Sequence, residues 1–221
     1  MTAAPIADVS YAQLLERARG LAVPGRRTIL GITGAPGAGK SSLAERLVAE
    51  LGPERAVLVP MDGFHLAESV LQDLGWRDRK GAVDTFDAGG YVALLRRIRE
   101  QTAEGGEQVI YAPIFRRDLE EPIGSAIPVR REVPLVVTEG NYLLHDSDPW
   151  PRAREALDES WFLAPGEEQR LAWLIERHMR FGRSEDEARE RSLGSDQRNA
   201  EVIAATAGRA DLVLRLAVEE V

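Results

Sequence analysis

An α/β architecture, with a parallel central sheet flanked by helices in three layers, follows from three features of this 221-residue sequence. Short runs rich in Val, Ile and Leu alternate with longer segments of helical period, the order produced when parallel strands are joined by crossover helices. One run, Val133-Pro134-Leu135-Val136-Val137-Thr138, is apolar almost without break, as in a strand covered on both faces. A glycine-rich loop, residues 34–39, separates a strand-like run from a helix-like one, and that order aims a helix N-terminus at an anion.

Tyr11, Leu14, Leu15 and Ala18 share one helical face, which predicts a leading helix within residues 1–27, stopped at Gly20. Residues 28–33 form the first strand and 42–51 the helix that leaves the glycine loop. Residues 56–61 form a second buried strand, ending on Asp62-Gly63-Phe64-His65. The polar stretch 66–90 is long for a connection in a compact domain, and such loops usually carry function. An amphipathic helix is expected over 91–101, then a third strand over 108–115, interrupted at Pro113. The run at 133–138 ends on Glu139-Gly140-Asn141-Tyr142. A short strand at 159–164, helices at 167–181, 185–193 and 197–207, and a last strand at 210–216 complete a doubly wound pattern. No internal repeat or low-complexity tract appears, and a single domain over 1–221 is expected.

Composition bounds the chemistry. There is no cysteine, which removes disulfides, thiolate zinc sites and cysteine nucleophiles. His65, His145 and His178 are too scattered to suggest a metal cluster. The first residues lack a basic region followed by an apolar one, and no window approaches a membrane span, so a cytoplasmic protein without membrane contact is expected. Net charge −8 argues against a nucleic-acid partner. A monomer or homodimer is expected.

Positive charge is written almost entirely as arginine, with lysine only at positions 40 and 80. Lys40 belongs to Gly34-Ala35-Pro36-Gly37-Ala38-Gly39-Lys40-Ser41, a complete G-x-x-x-x-G-K-[ST] loop. Its backbone N–H groups close around a polyphosphate, the lysine reaches the β/γ oxygens, and the serine hydroxyl takes one position on Mg²⁺. A compact ammonium on a flexible stem fits between phosphates where a planar guanidinium does not. Ser42 follows in the same turn.

Ligands of an open parallel sheet lie beyond the carboxyl ends of the strands, where the loop, Asp62 and Glu139 all stand. Phosphoryl transfer needs one carboxylate beside the attacking hydroxyl and another at the magnesium; Asp62 suits the first and Glu139, with Ser41, the second. Asp62-Gly63 is also a favoured turn dipeptide, and Glu139 also fits a solvated strand end. Arg170, Arg177, Arg180 and Arg183 fall at spacings of three and seven, as in a lid closing over phosphates or a solvated face paired with nearby glutamates; Arg177 and Arg183 are the candidates for charge on the transferring group. Within and around 66–90, His65, Arg79, Lys80, Asp84 and Asp87, together with Tyr142, are candidates for acceptor binding. Phe86 and Tyr91 read as core anchors, and the four tryptophans show no clustering of a base-stacking kind. Asp196 and Asn199 either face an adenine or, for Asp196, cap a helix.

Together these motifs resemble the phosphoribulokinase/uridine kinase group of P-loop kinases, most closely its bacterial nucleoside/nucleotide kinase-like branch, over residues 28–216. The resemblance rests on the loop, on Pro60-Met61-Asp62-Gly63-Phe64-His65-Leu66, on Arg79-Lys80-Gly81-Ala82-Val83-Asp84-Thr85-Phe86-Asp87, on Glu139-Gly140-Asn141-Tyr142-Leu143-Leu144, and on Asp196-Gln197-Arg198-Asn199-Ala200. It implies a P-loop NTPase fold, ATP as donor, Mg²⁺, Asp62 as the acceptor's base and an arginine-bearing lid within helices at 166–195. Uridine kinases carry Asp-Ser-Phe-Tyr where this chain has Asp62-Gly63-Phe64-His65, and Arg-Asp where it has Arg177-His178, so a different acceptor is expected. The implied activity is an ATP-dependent kinase acting on a hydroxyl of a small nucleoside, pantothenate or sugar-like metabolite. A regulatory GTPase is excluded because neither lysine follows an asparagine, and an ABC ATPase because its signature segment is missing. A nucleotide-binding regulatory module without turnover is the alternative.

Overall fold

The structure is a computed structural model and describes residues 5–102 and 105–217. Residues 1–4, which carry part of the N-terminal reading above, and residues 218–221 of the expected single domain lie outside the described residues.

Six parallel strands form the central sheet: β1 (Ala7–Val9), β2 (Thr28–Gly34), β3 (Ala56–Pro60), β6 (Leu135–Gly140), β7 (Glu159–Leu163) and β8 (Leu212–Leu216), in the order β1-β8-β7-β2-β6-β3. Side-chain alternation divides the core into two layers. Leu30, Ile32, Leu135, Val137, Trp161 and Leu214 pack under α1 (Tyr11–Leu21) and α2 (Lys40–Leu51). Ile29, Val136, Phe162 and Val213 face the other way, toward α4 (Ala88–Glu100), α5 (Trp150–Glu155) and α8 (Ser195–Ala204). β2 and β6 are buried along their whole length, which explains their unbroken apolar sequences.

Local signals account for several boundaries. Ser10 and Gln13 form a reciprocal capping box that starts α1. The Asp87 carboxylate accepts from the Gly90 N–H at 2.8 Å, so α4 begins at Ala88, three residues before the apolar face that marks it in sequence. The stretch 66–90 is less irregular than its polarity suggests: it holds α3 (Glu68–Asp73) and two short 3-10 turns at 77–79 and 83–85. β1, three residues long against β8, is too short to show a period in sequence.

The main departure concerns the expected third strand. Residues 109–116 form β4, but it leaves the parallel sheet and pairs antiparallel with β5 (Glu121–Arg130) as a separate two-stranded ribbon. Pro113 sits where the register shifts between Ala112 and Ile114, because proline has no N–H to give to the ladder. β5 escapes detection because Pro122, Gly124 and Pro128 break its pattern and most of it is exposed; edge strands tolerate such residues. The remaining helices, α6 (Glu167–Arg180) and α7 (Glu185–Leu193), precede α8 over the C-terminal edge of the sheet.

Candidate active site

The loop after β2 is shaped by close packing. At Gly37, φ is +84°, and a Cβ there would lie 2.6 Å from the Arg170 carbonyl oxygen and 2.9 Å from Leu174 Cβ, so only glycine fits. Arg170 is only 3% exposed, donates to the Pro36 carbonyl at 2.9 Å and pairs with Glu167 and Gln197, clamping α6 to the loop. Lys40 opens α2, is 8% exposed, and gives its ammonium to the Ala35 carbonyl at 3.0 Å.

Strand register brings the acids to this lysine. Pro60 and Ile32 flank Glu139, so Asp62, just past β3, and the loop, just past β2, lie on either side of it. Burial and the nearby Asp62 carboxylate push Glu139 up to about 7, against the opposing pull of Lys40 and the Ser41 hydroxyl. Burial lowers Lys40 to about 8 against the attraction of Glu139. Asp62 receives Arg117 Nη2 at 3.3 Å, from the ribbon's turn. Gly63 lets the two elements meet, since a Cβ there would lie 2.5 Å from the Pro113 carbonyl oxygen.

Two clefts converge here. One, of about 730 Å³, runs from Lys40, Asp62 and Glu139 past His65 to Lys80, Arg183, Arg191 and Asn199. The other, of about 610 Å³, lies between α2, α6 and the end of β8 and is lined by Gly37, Gly39, Ser42, Trp173 and Leu216. Lys40, Ser41, Arg117, Arg177 and Phe181 line both, so the clefts meet at the lysine. Arg177 is half-buried at that junction with no carboxylate partner among the described residues, and burial together with Arg117 lowers its affinity for its proton.

The model of the phosphoribulokinase/uridine kinase family matches residues 29–220. The chain belongs to that family. It is 31% identical over 216 residues to a Schizosaccharomyces pombe protein provisionally named a uridine kinase, covering 93% of this chain and 90% of that one. A crystal structure from a Silicibacter species, provisionally described as a fructose transport system kinase, superposes with a TM-score of 0.81 at 33% identity, covering 93% of this chain and 98% of the other. The pantothenate kinase of Halalkalibacterium halodurans is 27% identical over 180 residues, covering 76% of this chain and 55% of its own length. The protein is thus a small-molecule P-loop kinase with the three-layer fold of that group.

This kinase distributes the sequence-derived candidates unevenly. Gly34, Ala35, Pro36, Gly37, Ala38, Gly39, Lys40, Ser41 and Ser42 form the loop and first turn of α2. His65 lies between the Phe86 and Phe115 rings, with centroids at 4.1 and 4.7 Å, and its ring nitrogen meets the Asp62 carbonyl oxygen at 2.9 Å; burial lowers it below the usual histidine value. Lys80 reaches Glu68 at 3.2 Å and the Glu120 carbonyl at 2.6 Å. Arg79 and Asp84 pair with each other at the exposed face, and Asp87 is spent on the α4 cap. Tyr142 is buried and donates to the Gly81 carbonyl at 2.7 Å, which also receives Asn199 Nδ2 at 3.3 Å; both residues hold the 80–81 turn, and Asn199 faces the first cleft rather than the second. Asp196 meets His178 at 2.7 Å. The four spaced arginines have four fates: Arg170 in the clamp, Arg177 at the junction, Arg180 on Glu176 at the exposed rim of the second cleft and Arg183 at the exposed rim of the first. Sequence reasoning missed Arg117, Arg191 and Trp173. The Arg116-Arg117 step marks the first, but nothing in sequence says that a separate ribbon aims it at Asp62.

No helix among the described residues is long and apolar enough to cross a membrane.

Proposed function

We propose that the protein transfers the γ-phosphoryl group of ATP to a hydroxyl of a small metabolite, with the donor in the second cleft, the acceptor in the first and the phosphoryl group passing at their junction. The observation that carries this reading is the meeting of the two clefts at Lys40, Ser41 and Arg177 with Asp62 opening only into the first. Transfer forms a bond from the acceptor oxygen to the γ-phosphorus and breaks the bond to the bridging oxygen, whose electron pair leaves on ADP. Asp62 orients the hydroxyl and receives its proton. The loop N–H groups and Lys40 bind the phosphates, and Arg177 and Arg117 stabilise charge that develops between the clefts.

The residues present fit Mg²⁺. Among the described residues no group of three ligating side chains could cage a metal, but kinase magnesium takes one or two carboxylates plus phosphate oxygens. Glu139 is a buried acid held against its ionisation beside Asp62, an arrangement a cation relieves. Ser41 and Glu139 would hold the ion, which supplies neutralisation of phosphate charge. In the second cleft, the 42%-exposed Trp173 offers an aromatic face to the base.

Relatives named for uridine, pantothenate and fructose transport define the first panel. Coupled ADP release with Mg·ATP against uridine, pantothenate, fructose and glycerate, with Lys40→Ala as blank, tests the reading. An acceptor-dependent rate well above the blank is expected. ATP binding with no such rate for any acceptor would favour the regulatory module.

A further inference from the structure

The charge on the acceptor side exceeds what transfer itself requires. Arg117 and Arg177 serve the junction, yet Arg183 and Arg191 line the first cleft alone and take no part in the second. Neither has a carboxylate partner among the described residues: Arg191 donates only to the Lys80 carbonyl, at 3.3 Å, and Arg183 donates its side chain to nothing. Most acids of the same cleft are already matched. Asp62 holds Arg117, Glu68 holds Arg77 and Lys80, Asp196 holds His178 and Glu139 lies beside Lys40, while Asp78 and Glu120 stand at the exposed mouth. In a protein of net charge −8, the half-buried Arg191 and, at the exposed rim, Arg183, neither within ion-pair range of a carboxylate among the described residues, favour an anion in this cleft.

Resting on the kinase reading of this site, we propose that the acceptor is an anionic hydroxy metabolite, carrying a carboxylate or phosphate that Arg191 and Arg183 bind while its hydroxyl lies at Asp62. The wall supports this grip. Arg191 is anchored by one N–H to the Lys80 carbonyl, and the adjoining Gly81 carbonyl receives both Tyr142 and Asn199, so the turn beneath the guanidinium is fixed from the loop after β6 and from α8. A planar fork held at one corner keeps its remaining N–H groups for a bidentate oxyanion.

Matched acceptors that differ only in the anionic group test the proposal: glycerate against glycerol, pantothenate against pantothenol, fructose 6-phosphate against fructose. An anionic member should be used with kcat/KM at least about a hundredfold above its neutral twin, and which pair responds separates carboxylate from phosphate. Arg191→Met and Arg183→Met should each raise its KM about tenfold while leaving the KM for Mg·ATP unchanged. Equal or better use of a neutral twin, or unchanged acceptor KM in both variants, overturns the assignment. A calorimetric titration of inorganic phosphate into the Mg·ADP-bound protein reads the same site without turnover. Binding weakened at least about tenfold in the Arg183→Met/Arg191→Met double variant supports the proposal; equal binding by the double variant and the natural protein overturns it. Absence of ADP release with every acceptor, alongside Arg191-dependent phosphate binding, would instead count against the kinase reading alone.

Discussion

At the residue scale the site is built on buried charge. Glu139 is only 5% exposed and sits at about 7, so between about pH 4.5 and 7 the folded protein keeps a proton that the unfolded chain has released. Folding is therefore favoured at the acid end of that window, and the contribution fades as pH rises through it. Lys40 carries its proton in both states over the same range and adds no slope. Relative to Glu139→Gln, the natural protein should lose stability with a slope on the order of 1 kcal/mol per pH unit, read by urea unfolding at several pH values. Parallel curves would remove the buried-acid account. Asp62→Asn keeps the shape and removes the carboxylate proposed as the base: kcat should fall at least about a hundredfold, with the KM for Mg·ATP little altered. Near-normal turnover would take the base role from Asp62.

At the scale of elements, short contacts decide what each segment is for. Asp87, an acceptor-binding candidate in sequence, uses its carboxylate to cap α4. Asp87→Ala should cost about 1 kcal/mol of stability and leave the acceptor KM unchanged; a raised KM at full stability would return it to the acceptor site. Gly63 joins β3 to the β4–β5 ribbon at van der Waals range. Gly63→Ala should cost roughly 1–3 kcal/mol by denaturant unfolding, because the obstacle is the Pro113 carbonyl oxygen and not a flexible side chain. The same closeness gives a physical reason for glycine where uridine kinases carry serine.

For the whole molecule, the sheet serves as a platform whose carboxyl edge holds both clefts, with α6 and α7 over them. Anything that fills the second cleft binds the folded state alone. Mg·ATP at about a hundred times its Kd should therefore add about 2.7 kcal/mol to the stability, seen as a raised Tm, and Lys40→Ala should lose most of that shift. An equal shift in the variant would mean that the nucleotide is held away from the loop.

The local order of residues was enough to determine the loop, the strands on either side of it and the acids at their ends. Glycine conformations, unbroken apolar runs and strand-to-helix periods are all properties of near neighbours. Tertiary structure alone decided that residues 109–116 leave the sheet, that Arg117 reaches Asp62, that Asn199 faces the first cleft and that four arginines spaced by seven, three and three do four different things. Several of those outcomes depend on a partner distant in the chain, such as Asp62 for Arg117 or Pro36 for Arg170, and helical or strand period carries no record of which distant residue will arrive.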